Sequence, residues 1–313
     1  MPVGCNSEFF WQQHITMSFS HKQPVFDEME ERWATLSGVR LRYLVGGSGP
    51  PLILVHGIAA SSFSFRLNCA DLMRNFRLFV PDLMSIVSAQ RKMDMNGSLQ
   101  GIAKRLAELL DHAGLKHANF LGSSHGGAVL LNLAALARER FEKLVLVSPA
   151  NPFAGHYKAT VGFYLSAPGR IFARLAPFAP ARIWDYGIGR MYADPYGMAA
   201  GTGAGYARPL RLRGTIPYLL SCLETFNDDL ENLREHLATI SRIPTLLIWG
   251  DRDPVVEIQS GYELQRALAA KMVAMRGVGH LPYEEAPQEF NRIVREYLMG
   301  VGEPQLTNYS SNS

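Results

Sequence analysis

Short, continuous apolar runs alternate along much of this chain with segments whose apolar residues return every three or four positions. Leu52-Ile53-Leu54-Val55, the run ending at Gly122, Leu144-Val145-Leu146-Val147 and Thr245–Gly250 read as strands buried on both faces. Phe76-Arg77-Leu78-Phe79-Val80 reads as a further strand, closed by Pro81-Asp82. Ahead of these, Trp33–Leu36 and Val39–Leu44 alternate around a Ser37-Gly38 turn, the pattern of a half-buried hairpin. Helices are expected from about Phe63 to Arg74 and from Ser98 to about Ala113. The second carries Ile102, Leu106, Leu109 and Leu110 on one face. A helix near 258–269, a strand near 271–276 and a final helix from about Pro287 to Leu298 complete the series. This rhythm predicts the α/β class: a mostly parallel, twisted sheet with helices on both faces.

The rhythm is interrupted once. From about Asn151 to Ile240 the chain is rich in aromatics, Pro and Gly, with short helical patterns and no clear buried strand. The expected organisation is a core over 31–150 and 241–300, with a helical cap or lid inserted over 151–240. Residues 1–30 show no clear period and read as an N-terminal arm, and 301–313 as a loose tail.

Composition narrows the function classes. At 313 residues, 47% hydrophobic and 19% charged, the chain can bury a large core. A net charge of +3 gives no reason to expect a nucleic-acid partner. Three widely spaced cysteines, Cys5, Cys69 and Cys222, suggest reduced thiols, not a disulfide framework or a metal site. The N-terminus lacks the basic–apolar–small order of a signal peptide, and no apolar run reaches the ~20 residues of a membrane span. The expectation is a cytoplasmic protein.

The candidate chemistry centres on Gly122-Ser123-Ser124-His125-Gly126, which lies between a strand and a helix. G-x-S-x-G in that setting is a nucleophile elbow, a strained corner that holds a serine hydroxyl at the end of a strand. The residues two away on either side must be small. Centring on Ser124 places Gly122 and Gly126 there; centring on Ser123 would place Leu121 and His125 there. Ser124 is therefore the candidate nucleophile. Ligands in parallel sheets gather at the carboxyl ends of strands. Two other strand ends carry suitable groups: Gly250-Asp251-Arg252-Asp253-Pro254 and Gly277-Val278-Gly279-His280. The order is nucleophile, acid, histidine. His280 is the candidate base, which takes the serine proton and returns it to the leaving group. Asp251 and Asp253 both remain candidates for the acid.

The chain resembles the α/β-hydrolase fold superfamily from about Trp33 to Gly300, as a serine-nucleophile member with an inserted cap. The motifs are Leu54-Val55-His56-Gly57, Gly122–Gly127, Ile248–Pro254 and Gly277–His280. The resemblance implies that the acid is Asp253. It also implies that the backbone N–H groups of Ile58 and His125 form the oxyanion hole, worth ~3 kcal/mol of barrier each. His56 reads as a structural, hydrogen-bonding histidine. No cofactor and no metal are implied. Similar proteins carry a glycine-rich loop after the strand ending at Asp82; Leu83-Met84-Ser85-Ile86-Val87-Ser88 has no glycine.

The implied activity is serine hydrolysis of a carboxylic ester, or a related acyl bond, of a small apolar or lipid-like substrate. The same triad would serve a C–C bond hydrolase or a cofactor-free haloperoxidase. A different class is a non-catalytic protein that holds a small ligand in the same pocket. A small-molecule substrate is the expected partner. Aromatics at Phe153, Tyr157, Phe163, Tyr164, Phe172, Phe178, Trp184 and Tyr186 suggest an apolar acyl or aromatic group on it. Residues 151–220 hold eight Lys or Arg against Asp185 and Asp194. The favoured expectation is a solvated face balanced by the acidic stretch Glu224–Glu235. Transient contact with an anionic membrane is the alternative.

Overall fold

A computed structural model describes residues 26–87, 96–155 and 157–301. Most of the expected arm and nearly all of the tail therefore lie outside the described residues, as does Cys5. Eight strands form one sheet: β1 (Glu30–Leu36), β2 (Val39–Gly46), β3 (Pro51–Val55), β4 (Arg77–Val87), β5 (Ala118–Ser123), β6 (Phe141–Val147), β7 (Thr245–Gly250) and β8 (Lys271–Met275). Their order is β1-β2-β4-β3-β5-β6-β7-β8. The hairpin β1–β2 and the β2–β4 pair are antiparallel, and every other pair is parallel.

The central strands are continuous apolar runs because helices cover both faces. β5 and β7 are buried at every position. Two hydrophobic clusters flank the sheet, one around Val55, Phe120, Leu146 and Trp249, the other around Leu54, Leu121, Val147 and Ile248. The alternation within each strand sends successive side chains to opposite clusters.

Helices α1 (Leu99–His112), α2 (His125–Leu136), α9 (Ile258–Leu268) and α10 (Pro287–Met299) belong to this alternating core. Ser98 caps α1 by accepting from the N–H of Gly101, and the buried face includes Ile102, Leu106, Leu109 and Leu110. Between β6 and β7 the described residues form six helices of seven residues or more, α3 (Tyr157–Leu165), α4 (Ala167–Leu175), α5 (Ala181–Gly189), α6 (Thr202–Leu210), α7 (Thr215–Glu224) and α8 (Phe226–Asn232), and a single α-turn at Leu237–Ile240. No strand falls in this stretch among the described residues.

Two boundaries differ from the sequence reading. The helix expected from Phe63 to Arg74 is broken into a 3₁₀ turn, Ser62–Phe65, and one α-turn, Cys69–Leu72. Two side chains in the segment are engaged elsewhere: Arg66 bonds to Glu284, while Asn68 bonds to the Tyr283 carbonyl and to Asn291. The strand expected to close at Asp82 runs on to Val87, because Ile86 and Val87 pair with Leu41 and Arg40 of β2 across a register shift. The glycine-free segment 83–87 is thus an edge-side strand extension, which needs no glycine.

Cys69 and Cys222 are buried free thiols, and burial pushes both up to about 12. No described helix is long and apolar enough to cross a membrane.

Candidate active site

Ser124 stands between β5 and α2 with φ 51° and ψ −120°, a conformation that L residues rarely adopt. The corner is held by backbone bonds. Ser124 N–H donates to the Val147 carbonyl at 2.9 Å, and the Ser124 carbonyl accepts from Gly127, Ala128 and Ala150. The two flanking glycines are required by crowding. A methyl at Gly122 would meet the Gly126 carbonyl at 2.8 Å, and one at Gly126 would strike the carbonyls of Val55 and His56. This is the physical content of G-x-S-x-G: strand and helix backbones cross too closely for a Cβ. Ser123 is fully buried below the corner, its hydroxyl 3.5 Å from that of Tyr283.

The segment after β3 lies against the nucleophile. The side-chain position of Gly57 is 3.4 Å from Ser124 Cβ. Ile58 follows directly, and His125 opens α2 on the other side of Ser124. Both candidate oxyanion donors therefore flank Ser124, and His125 sits at a helix N-terminus, where the dipole favours developing negative charge. His56 is spent on structure. Its Nε2 accepts from Leu83 N–H at 3.0 Å, which leaves Nδ1–H to donate to the Gly57 carbonyl at 2.8 Å. Asp82 holds the next turn by accepting from Ser62 N–H at 2.6 Å while paired with Arg42.

Asp253 and His280 come together. His280 Nδ1 donates to Asp253 Oδ2 at 2.8 Å, with side-chain exposures of 4% and 0%. The other carboxylate oxygen accepts from Val255 and Val256 N–H at 2.8 and 3.0 Å. Burial alone would raise the Asp253 carboxyl, but the His280 hydrogen bond and charge, with the Val256 N–H, hold it below its ordinary range. Ser148, buried and itself at φ 40°, sets its hydroxyl beside the same carboxylate. Asp251 is turned away and accepts from Gly277 N–H at 2.7 Å, bracing the approach to the His280 loop. Of the two acid candidates, only Asp253 bonds to the imidazole.

Sequence reasoning missed the groups that fix this loop. Glu285 accepts from the N–H groups of Gly279, Leu281 and Ala193. It thereby ties the residues around His280 to the segment after α5. Met191 in that segment accepts from His280 N–H at 2.7 Å. Next to it, Glu284 is fully buried and receives Arg66 at 2.7 and 2.8 Å, together with the hydroxyls of Tyr192 and Tyr206. Arg66 also donates to Thr202 at 3.0 Å. No local signal marks these pairs, because Arg66 and Glu284 are 218 positions apart. Glu284→Ala would strand a buried guanidinium and two phenols. It is expected to lower the unfolding free energy by about 3–5 kcal/mol, read from the urea midpoint; a loss under ~1 kcal/mol would show the network to be dispensable.

Part of the stretch between β6 and β7 packs against His125. His125 is buried and stacks on Phe226 of α8 at 5.7 Å, and Phe226 meets Tyr157 of α3 edge-on at 5.4 Å. Burial, then the nearby His56, lowers the His125 imidazole to about 3, so it is neutral at ordinary pH. Of the eight aromatics singled out in this stretch, Phe153, Tyr157, Tyr164 and Trp184 are half-buried. Phe163, Phe172, Phe178 and Tyr186 face outward instead. The described residues hold no cluster of His, Cys, Asp and Glu fit for a metal ion.

Comparison with known proteins adds a family-level match. A family model described as the alpha/beta hydrolase fold matches residues 50–287. Lipase 1 of Psychrobacter immobilis is 27% identical over 294 residues, covering 92% of this chain and 90% of that protein. Lipase 3 of Moraxella sp. (strain TA144) is 27% identical over 271 residues, covering 84% and 82%. Among solved structures, a meta-cleavage product hydrolase from Pseudomonas fluorescens superposes with a TM-score of 0.72 at 21% identity, covering 88% and 99%. That last likeness concerns the fold alone.

Proposed function

The chain belongs to the α/β-hydrolase fold family, and from that premise we propose that it is a serine hydrolase cleaving a carboxylic ester of an apolar substrate through an acyl-enzyme. The observation that carries this reading is the buried His280–Asp253 bond at the carboxyl edge of the sheet that presents Ser124 at a strained corner. With Nδ1 committed to Asp253, Nε2 is the nitrogen left to act as base. Ser124 attacks the ester carbonyl while His280 takes its proton. The N–H groups of Ile58 and His125 bind the oxyanion. His280 then protonates the leaving alcohol, and water repeats the sequence on the acyl-enzyme.

An apolar acyl group is supported by the half-buried Tyr157 and the Phe226 ring against His125. It is supported further by resemblance to two proteins named as lipases. In this reading the 151–240 segment is a cap over the site, and the protein works without a cofactor or metal.

A fluorophosphonate probe and a p-nitrophenyl ester series of rising acyl length test the proposal together. The wild type is expected to label on Ser124 and to hydrolyse the series with a kcat/KM that rises with acyl length until the pocket is filled. Folded wild-type protein that neither labels nor hydrolyses any member would instead be the non-catalytic small-ligand binder.

A further inference from the structure

We propose that the outer face of α4, α5 and the turn between them docks on an anionic lipid surface. Of the twelve large hydrophobic side chains exposed among the described residues, seven fall between Phe163 and Tyr186, at exposures from 48% to 69%. Ile171, Phe172 and Leu175 share one face of α4, because positions i, i+1 and i+4 lie within about 100° of arc. Phe178 stands exposed at the end of the 3₁₀ turn that follows the helix, and Ile183 and Tyr186 lie one turn apart on α5.

Contacts and hydrogen bonds link its parts. Phe163 packs against Phe172 with ring centroids 6.1 Å apart. Trp184 Nε1–H donates to the Ala176 carbonyl at 2.9 Å, tying α5 to the 176–178 turn, and Arg211, just after α6, donates to the Pro177 carbonyl at 2.8 Å and holds that turn from below. A soluble monomer rarely leaves a contiguous apolar patch of this kind in water.

Charge chooses the occupant. From Tyr157 to Arg190 there are five cations, Lys158, Arg170, Arg174, Arg182 and Arg190, and one carboxylate, Asp185. Asp185 is turned inward, accepting from Gly203 N–H at 3.0 Å. Arg170 is paired with Glu224 at 3.2 Å, whereas Arg174 and Arg182 are exposed and have no carboxylate partner among the described residues. Interleaved aromatics, aliphatics and unpaired arginines on one face are what an anionic bilayer surface selects. A second copy would bring the same arginines against each other, which like-charge repulsion opposes.

The inference is independent of the hydrolytic reading and is tested apart from it. The full chain is sedimented with vesicles of phosphatidylcholine alone or with about one-third phosphatidylglycerol, at low and high salt. The wild type and Ser124→Ala should both partition at least ~10-fold more strongly onto the anionic vesicles and lose that preference at high salt. Arg174→Gln and Arg182→Gln should each cut anionic partitioning by roughly five-fold. The triple variant Phe172→Asp, Leu175→Asp, Phe178→Asp should abolish it; these positions are already in solvent, so the thermal midpoint should hold, and the two arginine variants stand if it does not. No vesicle association at low salt would overturn the proposal. So would a solution dimer that the triple variant splits, because it would make the patch a self-association surface.

Discussion

Ser124→Ala and His280→Ala are each expected to lower kcat on a p-nitrophenyl ester by roughly a million-fold, Ser124→Ala with the unfolding transition unchanged and His280→Ala with some loss of stability from the buried Asp253 it leaves unpaired. The two losses should be nearly equal, and the double variant little worse than either. A hydroxyl without a base and a base without a hydroxyl fail at the same step. Ser124 is half-buried and its backbone contacts do not depend on the hydroxyl, so alanine should be tolerated structurally. His280 is held through its backbone by Met191 and through Nδ1 by Asp253. A folded Ser124→Ala protein that kept more than about a hundredth of wild-type turnover would remove Ser124 from the mechanism.

The second large effect separates two neighbouring carboxylates. Asp253→Asn is expected to cost about 10⁴-fold in kcat, because an amide facing Nδ1 fixes the wrong imidazole tautomer and cannot stabilise the imidazolium. Asp251→Asn should stay within about ten-fold of wild type. Its carboxylate braces Gly277 N–H, and an amide oxygen can accept that bond in its place. Measured kcat for the two variants, side by side, decides the matter; the opposite ranking would exchange their roles.

How much of this was visible in the sequence depends on the range of the interaction involved. Buried parallel strands such as Leu52–Val55 and Leu144–Val147 declare themselves locally, because both faces must be apolar. The elbow declares itself through its two glycines, of which Gly122 answers crowding by Gly126 and Leu130 close by, although Gly126 answers the carbonyls of Val55 and His56 on a neighbouring strand. Where the outcome hung on distant partners, local pattern failed. Phe63–Arg74 has a helical composition, yet Arg66 and Asn68 are drawn to residues 283, 284 and 291 and the helix breaks. The strand ending at Asp82 continues because β2 offers it an edge. The aromatics of 153–186 looked uniform in sequence, and only the packing of the helices divided them into half-buried and outward sets.

The buried meeting of Arg66, Glu284, Tyr192 and Tyr206 fastens the 192–206 stretch to the turn that follows His280. Slackening that fastening would shift the proposed base as well as cost stability.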